Sequence, residues 1–176
     1  NIIIMNREDL IRYLNTENNI GIELGVAEGK FSKTLLDTNK FKYIYSVDRY
    51  TGERGHDTKQ YIKALKKLKE HETKNSLLRM NFCEALDFFE DNTFDFIYID
   101  GYAHTGENEG KTLYDWYPKL KKGGMFAGDD YHSDWPKVIH HVDKFCKDNF
   151  LKLHIHKFKN KNNDYSKYPS WYVFKN

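Results

Sequence analysis

Short apolar runs alternate with segments of helical period along most of this chain, and that alternation is what most limits the folds open to it. The runs are Ile20 to Leu24, Tyr43 to Val47, Leu77 to Met80, Phe94 to Ile99 and Met125 to Ala127. Between them Tyr61, Leu65 and Leu68, and later Val138, Val142 and Phe145, recur at the spacing of one helical face. An earlier segment, Asn6 to Asn15, carries Leu10, Ile11 and Leu14 in the same way. Strands joined through helices require right-handed crossovers and give a parallel sheet covered on both faces. The end of the chain departs from this. Leu151 to Phe158 and Trp171 to Phe174 are strand-like runs with no helix between them, which predicts a closing antiparallel hairpin. The expected fold is α/β: a Rossmann-like, doubly wound, mostly parallel seven-stranded sheet with an antiparallel C-terminal hairpin and helices on both faces. At 176 residues it fits a single domain spanning 1–176.

Charge and composition narrow the partners. Hydrophobic residues make up 39% and aromatics 16%, enough for a folded core. The net charge is +2 although 31% of residues are charged, and the two signs are interspersed. A nucleic-acid binder concentrates a basic face, so nucleic acid is not expected, and the lysines from Lys157 to Lys161 read as a solvated loop. Cys83 and Cys146 show no metal-ligand spacing and fit a reducing, cytoplasmic setting. The sequence starts at Asn1 rather than Met, so a few residues are expected to precede it. Its opening NIII is too short for a signal-peptide core, and no run approaches the ~20 apolar residues of a membrane span.

In open parallel sheets, ligands bind beyond the carboxyl ends of the strands. The residues there are Gly25 to Gly29, Asp48, Asn81 to Glu84, Asp100 to His104 and Gly128 to Tyr131. The first stretch, GIELGVAEGKFSKT, invites two familiar readings. A P-loop would need glycine where Leu24 stands and a hydroxyl where Phe31 stands. A dinucleotide turn would need glycines at 25, 27 and 30, and the chain has Ala27 and Lys30. What remains is a strand, an acid, and glycines at 25 and 29 that let backbone turn tightly against a ligand. Glu23 would repel a phosphate and favour a cation. Asp48 ends the next strand, where a carboxylate grips ribose hydroxyls. A cationic nucleoside without phosphates describes S-adenosylmethionine.

The runs IELGVAEG and SVDRY resemble the first two motifs of class I S-adenosylmethionine-dependent methyltransferases. FDFIYIDGYAHT, DWYPKLKKGGMFAGDDY and HHVDKFCKD are similar to the small-molecule branch, the macrocin O-methyltransferase-like or methyltransferase domain 24 proteins, which includes sugar and antibiotic methyltransferases. The resemblance covers Gly21 to Asp148, and YPSWYVFK suits the family's last strand. It implies a donor site built from Glu23, Gly25, Val26, Gly29, Asp48, Arg49, Asn81, Phe82 and Asp100. It also implies that Asp100, Asp129 and Asp130 hold a metal, Mg2+ being the ion suited to such an oxygen set. Where the branch commonly has Asp-Gly-Asp, this chain has Tyr102, so an acid often proposed as base is absent. His104 then becomes the candidate base, its imidazole matched to a hydroxyl proton near neutral pH, with Asp100 and Tyr102 beside it.

The loop RYTGERGHDTKQY follows Asp48 and reads either as a lid over donor and acceptor or, more plainly, as an exposed connection before a helix beginning near Asp57. Tyr50, Arg54 and His56 from it, with Tyr131, are the expected acceptor contacts. The leading expectation is O-methylation of a small hydroxylated acceptor, a sugar or glycosylated metabolite. The alternatives are metal-independent N-methylation of a small amine or amino sugar, and a non-catalytic S-adenosylmethionine-binding module. No base-flipping Asn-Pro-Pro-Tyr-like motif follows the fourth strand, where IDGYAHT stands. With little sequence before the first strand, recognition insertions are small or a second copy of the chain, in a homo-oligomer, completes the pocket.

Overall fold

The structure is a computed structural model that describes residues 6–14, 16–100, 105–106, 108–157 and 167–176. Seven strands form one sheet: β1 Asn19–Leu24, β2 Phe41–Asp48, β3 Asn75–Arg79, β4 Phe94–Ile99, β5 Leu120–Gly128, β6 His154–His156 and β7 Ser170–Phe174. They lie in the order β3-β2-β1-β4-β5-β7-β6. The first five pair in parallel with one another, and β7 runs antiparallel between β5 and β6. The strand order reverses between β1 and β4, the place where such sheets open a ligand crevice.

The helices are α1 Lys30–Asp37, α2 Thr58–Leu68, α3 Phe82–Leu86, α4 Lys111–Trp116 and α5 Pro136–Asp148, preceded by a 3-10 helix at Arg7–Tyr13. Local chemistry sets their starts. The Asp57 side chain accepts from the Gln60 N–H and caps α2. Pro136 opens α5, where a missing N–H does no harm. The two sheet faces bury separate cores. Ile22, Leu24, Ile97, Ile99 and Phe126 pack against Trp116 of α4 and Val138, Val142 and Phe145 of α5. On the other face Ile44, Phe96, Tyr98 and Met125 pack against Leu10 and Ile11 of the 3-10 helix, Phe31 and Leu35 of α1, and Leu68 of α2. None of the described helices is long and apolar enough to cross a membrane.

Three elements differ from expectation, and one of them is β5, which begins at Leu120 rather than near Met125. The amphipathic segment from Asn6 forms a 3-10 helix rather than an α-helix. The sixth strand covers only His154–His156, because the chain is still closing α5 at Leu151. There the Leu151 N–H donates to the Cys146 carbonyl at 2.8 Å and the Phe150 N–H to Lys147 at 3.3 Å, with Phe150 left-handed at φ 55°. That is a Schellman closure with phenylalanine where glycine is usual. Phe158 lies outside the described residues.

Candidate active site at the carboxyl ends of the strands

After β1 the chain passes through Gly25 (φ 94°), Ala27 (φ 50°) and Gly29 (φ 77°) before entering α1. A Cβ on Gly29 would sit 3.3 Å from the Leu68 side chain and 3.5 Å from Ala64 Cα, so glycine there also lets α1 approach α2. Ala27 has a Cβ in left-handed backbone and is held from both sides. Its N–H donates to Asp48 Oδ2 at 3.0 Å, and its carbonyl accepts from the Tyr50 hydroxyl at 2.7 Å. The Val26 N–H donates to the same Asp48 oxygen at 2.9 Å, and Tyr50 N–H reaches Oδ1 at 3.4 Å. Asp48 therefore anchors the turn. Burial pushes its carboxyl up, but the His56 ring and the Ala27 and Val26 N–H groups outweigh that and hold it at about 2. His56 Nδ1 lies 3.6 Å away, and the carboxylate raises the imidazole above its ordinary value against the opposing effect of burial.

Glu23 sits beneath the turn at 1% exposure. Its Oε2 accepts from the Ser32 hydroxyl. Ser32 and Ser46 are hydrogen-bonded at 2.6 Å, and Asn75 Nδ2 donates to Ser46 at 2.9 Å. With the Ser32 proton committed to Glu23, the Ser46 hydroxyl must donate to Ser32, so every bond in the chain from β3 points toward Glu23. Oε1 of Glu23 has no partner among the described residues. Burial raises this carboxyl well above the usual range and the charge of Asp100 adds to it, while Ser32 and Arg7 pull the other way.

Asp100 and Asp129 follow β4 and β5. Arg7 joins them: Nη1 donates to Asp100 Oδ2 at 2.7 Å and Nη2 to Asp129 Oδ2 at 3.0 Å. The guanidinium is 5% exposed and lies over Phe31 at 5.4 Å and Tyr98 at 5.6 Å. Burial raises the Asp129 carboxyl well above its ordinary value, Asp100 adds to this, and Arg7 opposes it. Asp130 is buried and left-handed, at φ 59°.

The magnesium set expected from Asp100, Asp129 and Asp130 does not fit this geometry. These acids do not bring one oxygen each within 4.8 Å of one another; among the described residues only Asp37, Glu70 and His71 bring three ligand atoms that close, at the surface. The position between the first two is filled by Arg7, the residue that sequence reasoning missed. One signal pointed to it. Arg7 stands one turn before Leu10 and Ile11, so a cation lies on the stripe that the 3-10 helix buries.

The remaining expected residues divide. Val26, Gly25 and Gly29 line the turn with Glu23 and Asp48, and Met80 N–H bonds to the Asp48 carbonyl at 3.2 Å, bringing the end of β3 against the same strand end. Asn81 is exposed at the start of α3, its N–H donating to the Glu84 carboxylate at 2.9 Å, and Phe82 packs half-buried beside the core. Arg49 points outward and pairs with Glu53. Tyr50, expected at the acceptor, is a core residue at 1% exposure whose hydroxyl serves Ala27. Tyr131 likewise directs its hydroxyl to Asp143 at 2.6 Å, on α5. Both turn away because a buried or partly buried hydroxyl takes the nearest acceptor. Tyr102, His104 and the Arg54 side chain lie outside the described residues.

Glu23, Asp48, Asp100, Asp129 and Asp130 thus gather at the ends of four neighbouring strands around Arg7 and the half-exposed His56. Such a crevice attracts a cation, and the glycine turn admits a ligand close to backbone. Residues 22–131 match the family described as methyltransferase domain, well over half of the chain. No curated protein sequence matches. Similar solved structures include precorrin-6y C5,15-methyltransferase from Geobacter metallireducens, with TM-score 0.70 at 15% identity, covering 96% of this chain and 87% of that one. A Streptococcus mutans structure in complex with S-adenosylhomocysteine superposes at TM-score 0.62 and 16% identity, over 96% and 95% of the two chains. The tRNA (m1A58) methyltransferase from Aquifex aeolicus gives 0.65 at 14% identity, over 98% and 70%. Family match, sheet order and strand-end acids agree: the chain belongs to the methyltransferase-domain family and is a class I S-adenosylmethionine-dependent methyltransferase.

Proposed function

We propose that this enzyme transfers the methyl group of S-adenosylmethionine to a small hydroxylated acceptor, a sugar or glycosylated metabolite, without a divalent metal. The observation that carries the donor half is the Asp48-anchored glycine turn beside the buried Glu23. The turn and its acids receive the methionine end and sulfonium, and Asp48 receives the ribose through the oxygen that its turn contacts hold least, Oδ1. The stretch Asn81–Phe82 lies along the same edge and receives adenine.

Transfer breaks the sulfonium carbon–sulfur bond and forms a carbon–oxygen bond in line with it, leaving S-adenosylhomocysteine uncharged at sulfur. The acceptor hydroxyl proton passes to a base, for which Asp100, His104 and Tyr102 are the candidates at the end of β4. Proximity and exclusion of water supply most of the acceleration. Arg54 and His56, in the loop beside Asp48, are the acceptor contacts that remain after Tyr50 and Tyr131 are assigned to packing. Magnesium is left out because Arg7 holds the two acids that would bind it.

That same contact favours a second reading, an amine acceptor, which would be drawn as an ammonium to the acids, give up a proton to the base at the end of β4 to free its lone pair for the methyl group, and need no metal-polarised oxygen. A panel of sugars, glycosides and amino sugars incubated with methyl-labelled S-adenosylmethionine separates the two. Label on oxygen supports the first reading, label on nitrogen the second, and no transfer to either class by a protein that binds the donor overturns both.

A further inference from the structure

The donor-site reading being granted, we propose that Arg7 is a built-in counter-cation that occupies the metal position between Asp100 and Asp129, and that it positions Asp100 at the donor. A planar guanidinium edge presents two N–H groups side by side, matched to a pair of carboxylate oxygens. Here the pair comes from two neighbouring strand ends, at 2.7 and 3.0 Å. The contact is built into the core rather than laid on the surface. Arg7 and Asp129 are both buried, and the guanidinium lies over the touching rings of Phe31 and Tyr98. Its helix is fixed by Leu10, Ile11 and Leu14 in the core and by the His156 ring, hydrogen-bonded to the Asn6 carbonyl at 2.8 Å.

A magnesium ion requires oxygens at about 2.0–2.1 Å in near-octahedral array. Set between Asp100 and Asp129 it would meet a fixed positive charge bonded to the oxygens it needs. The two cations exclude one another, so the ion enters only if Arg7 leaves. Unlike a metal, a guanidinium accepts no ligand and acidifies no bound hydroxyl. Arg7 therefore acts through the carboxylates: it fixes Asp100, and it makes the 3-10 helix before β1 a wall of the active site.

The test is a Mn2+ titration, by calorimetry and by electron paramagnetic resonance, of wild type, Arg7→Gln, Arg7→Lys, Asp129→Asn and the Arg7→Gln/Asp129→Asn double variant. Each sample is titrated with S-adenosylhomocysteine as well. Wild type and Arg7→Lys are expected to take no Mn2+ at this site. Arg7→Gln is expected to gain one Mn2+ site, bound about tenfold or more tighter than any in wild type, as two freed carboxylates imply, and the double variant to lose it. The Asp129→Asn arms separate this site from the surface group of Asp37, Glu70 and His71. A Mn2+ site in wild type that Asp129→Asn removes overturns the proposal, and so does a folded Arg7→Gln that binds Mn2+ no better than wild type. Should Arg7→Gln not fold, the wild-type and Arg7→Lys titrations decide alone. A wild type that fails to bind S-adenosylhomocysteine refutes the donor-site reading instead, whatever the Mn2+ result.

Discussion

Replacing Asp48 with asparagine keeps the size of the side chain and one oxygen for the turn but removes the charge. In the folded protein that carboxyl is held at about 2, against an ordinary value of 3.8. The difference corresponds to about 2.4 kcal/mol of extra stability for the ionised form, trimmed by solvent screening to between about 1 and 2 kcal/mol. Because the folded value lies below the unfolded one, this contribution is present above the unfolded value and is lost as pH falls from about 3.8 toward about 2. About half is gone by pH 3. Urea unfolding of wild type and Asp48→Asn should therefore show a gap of about 1–2 kcal/mol at pH 7. The gap should hold to about pH 5 and narrow steadily below about pH 4. A gap of unchanged size across that range would refute the argument, since packing differences do not titrate. A variant as stable as wild type at pH 7 would show that the Val26 and Ala27 contacts need no charge.

Glu23→Gln should leave stability equal or raised, because the wild-type carboxyl is driven toward its neutral form by burial and by Asp100. Binding a sulfonium favours the ionised form, so donor binding should release a proton and tighten as pH rises above the ordinary carboxylate range; calorimetry in buffers of different ionisation heat should detect that release in wild type and not in the variant. Gly29→Ala puts a Cβ at φ 77° against Leu68 and should lower stability by about 1–2 kcal/mol in urea. Phe150→Gly should do the reverse. The residue is left-handed and 90% exposed at the close of α5, and relief of that strain should raise stability by about 0.5–1 kcal/mol, with no gain contradicting the helix closure assigned here.

The sheet and its donor turn were readable because their signals are local. An apolar run such as Phe94 to Ile99 fits a strand buried on both faces, and the failed P-loop spacing around Leu24 and Phe31 removed the main competitor. What could not be read depends on contacts between distant positions. Arg7 meets Asp100 and Asp129 across more than ninety residues, and a single arginine in an amphipathic segment ordinarily belongs to the solvated face. Tyr50 and Tyr131 stand at strand ends, as acceptor contacts would, but their hydroxyls find Ala27 and Asp143 instead. The apolar residues Leu151 and Leu153 suggested a long sixth strand, and the closure onto Cys146 shortens it. Lys121, Lys122, Gly123 and Gly124 hid the first half of β5, whose exposed end tolerates them.

The central claim is that Asp48 and its glycine turn hold the donor, and S-adenosylhomocysteine titrated into the folded protein tests it most directly. Wild type should bind one equivalent, and Asp48→Asn should bind about tenfold or more weakly, the loss of at least one charge-assisted hydrogen bond to a ribose hydroxyl. Folded wild-type protein that takes up no S-adenosylhomocysteine, or an Asp48→Asn variant that binds it as tightly as wild type, would contradict the account.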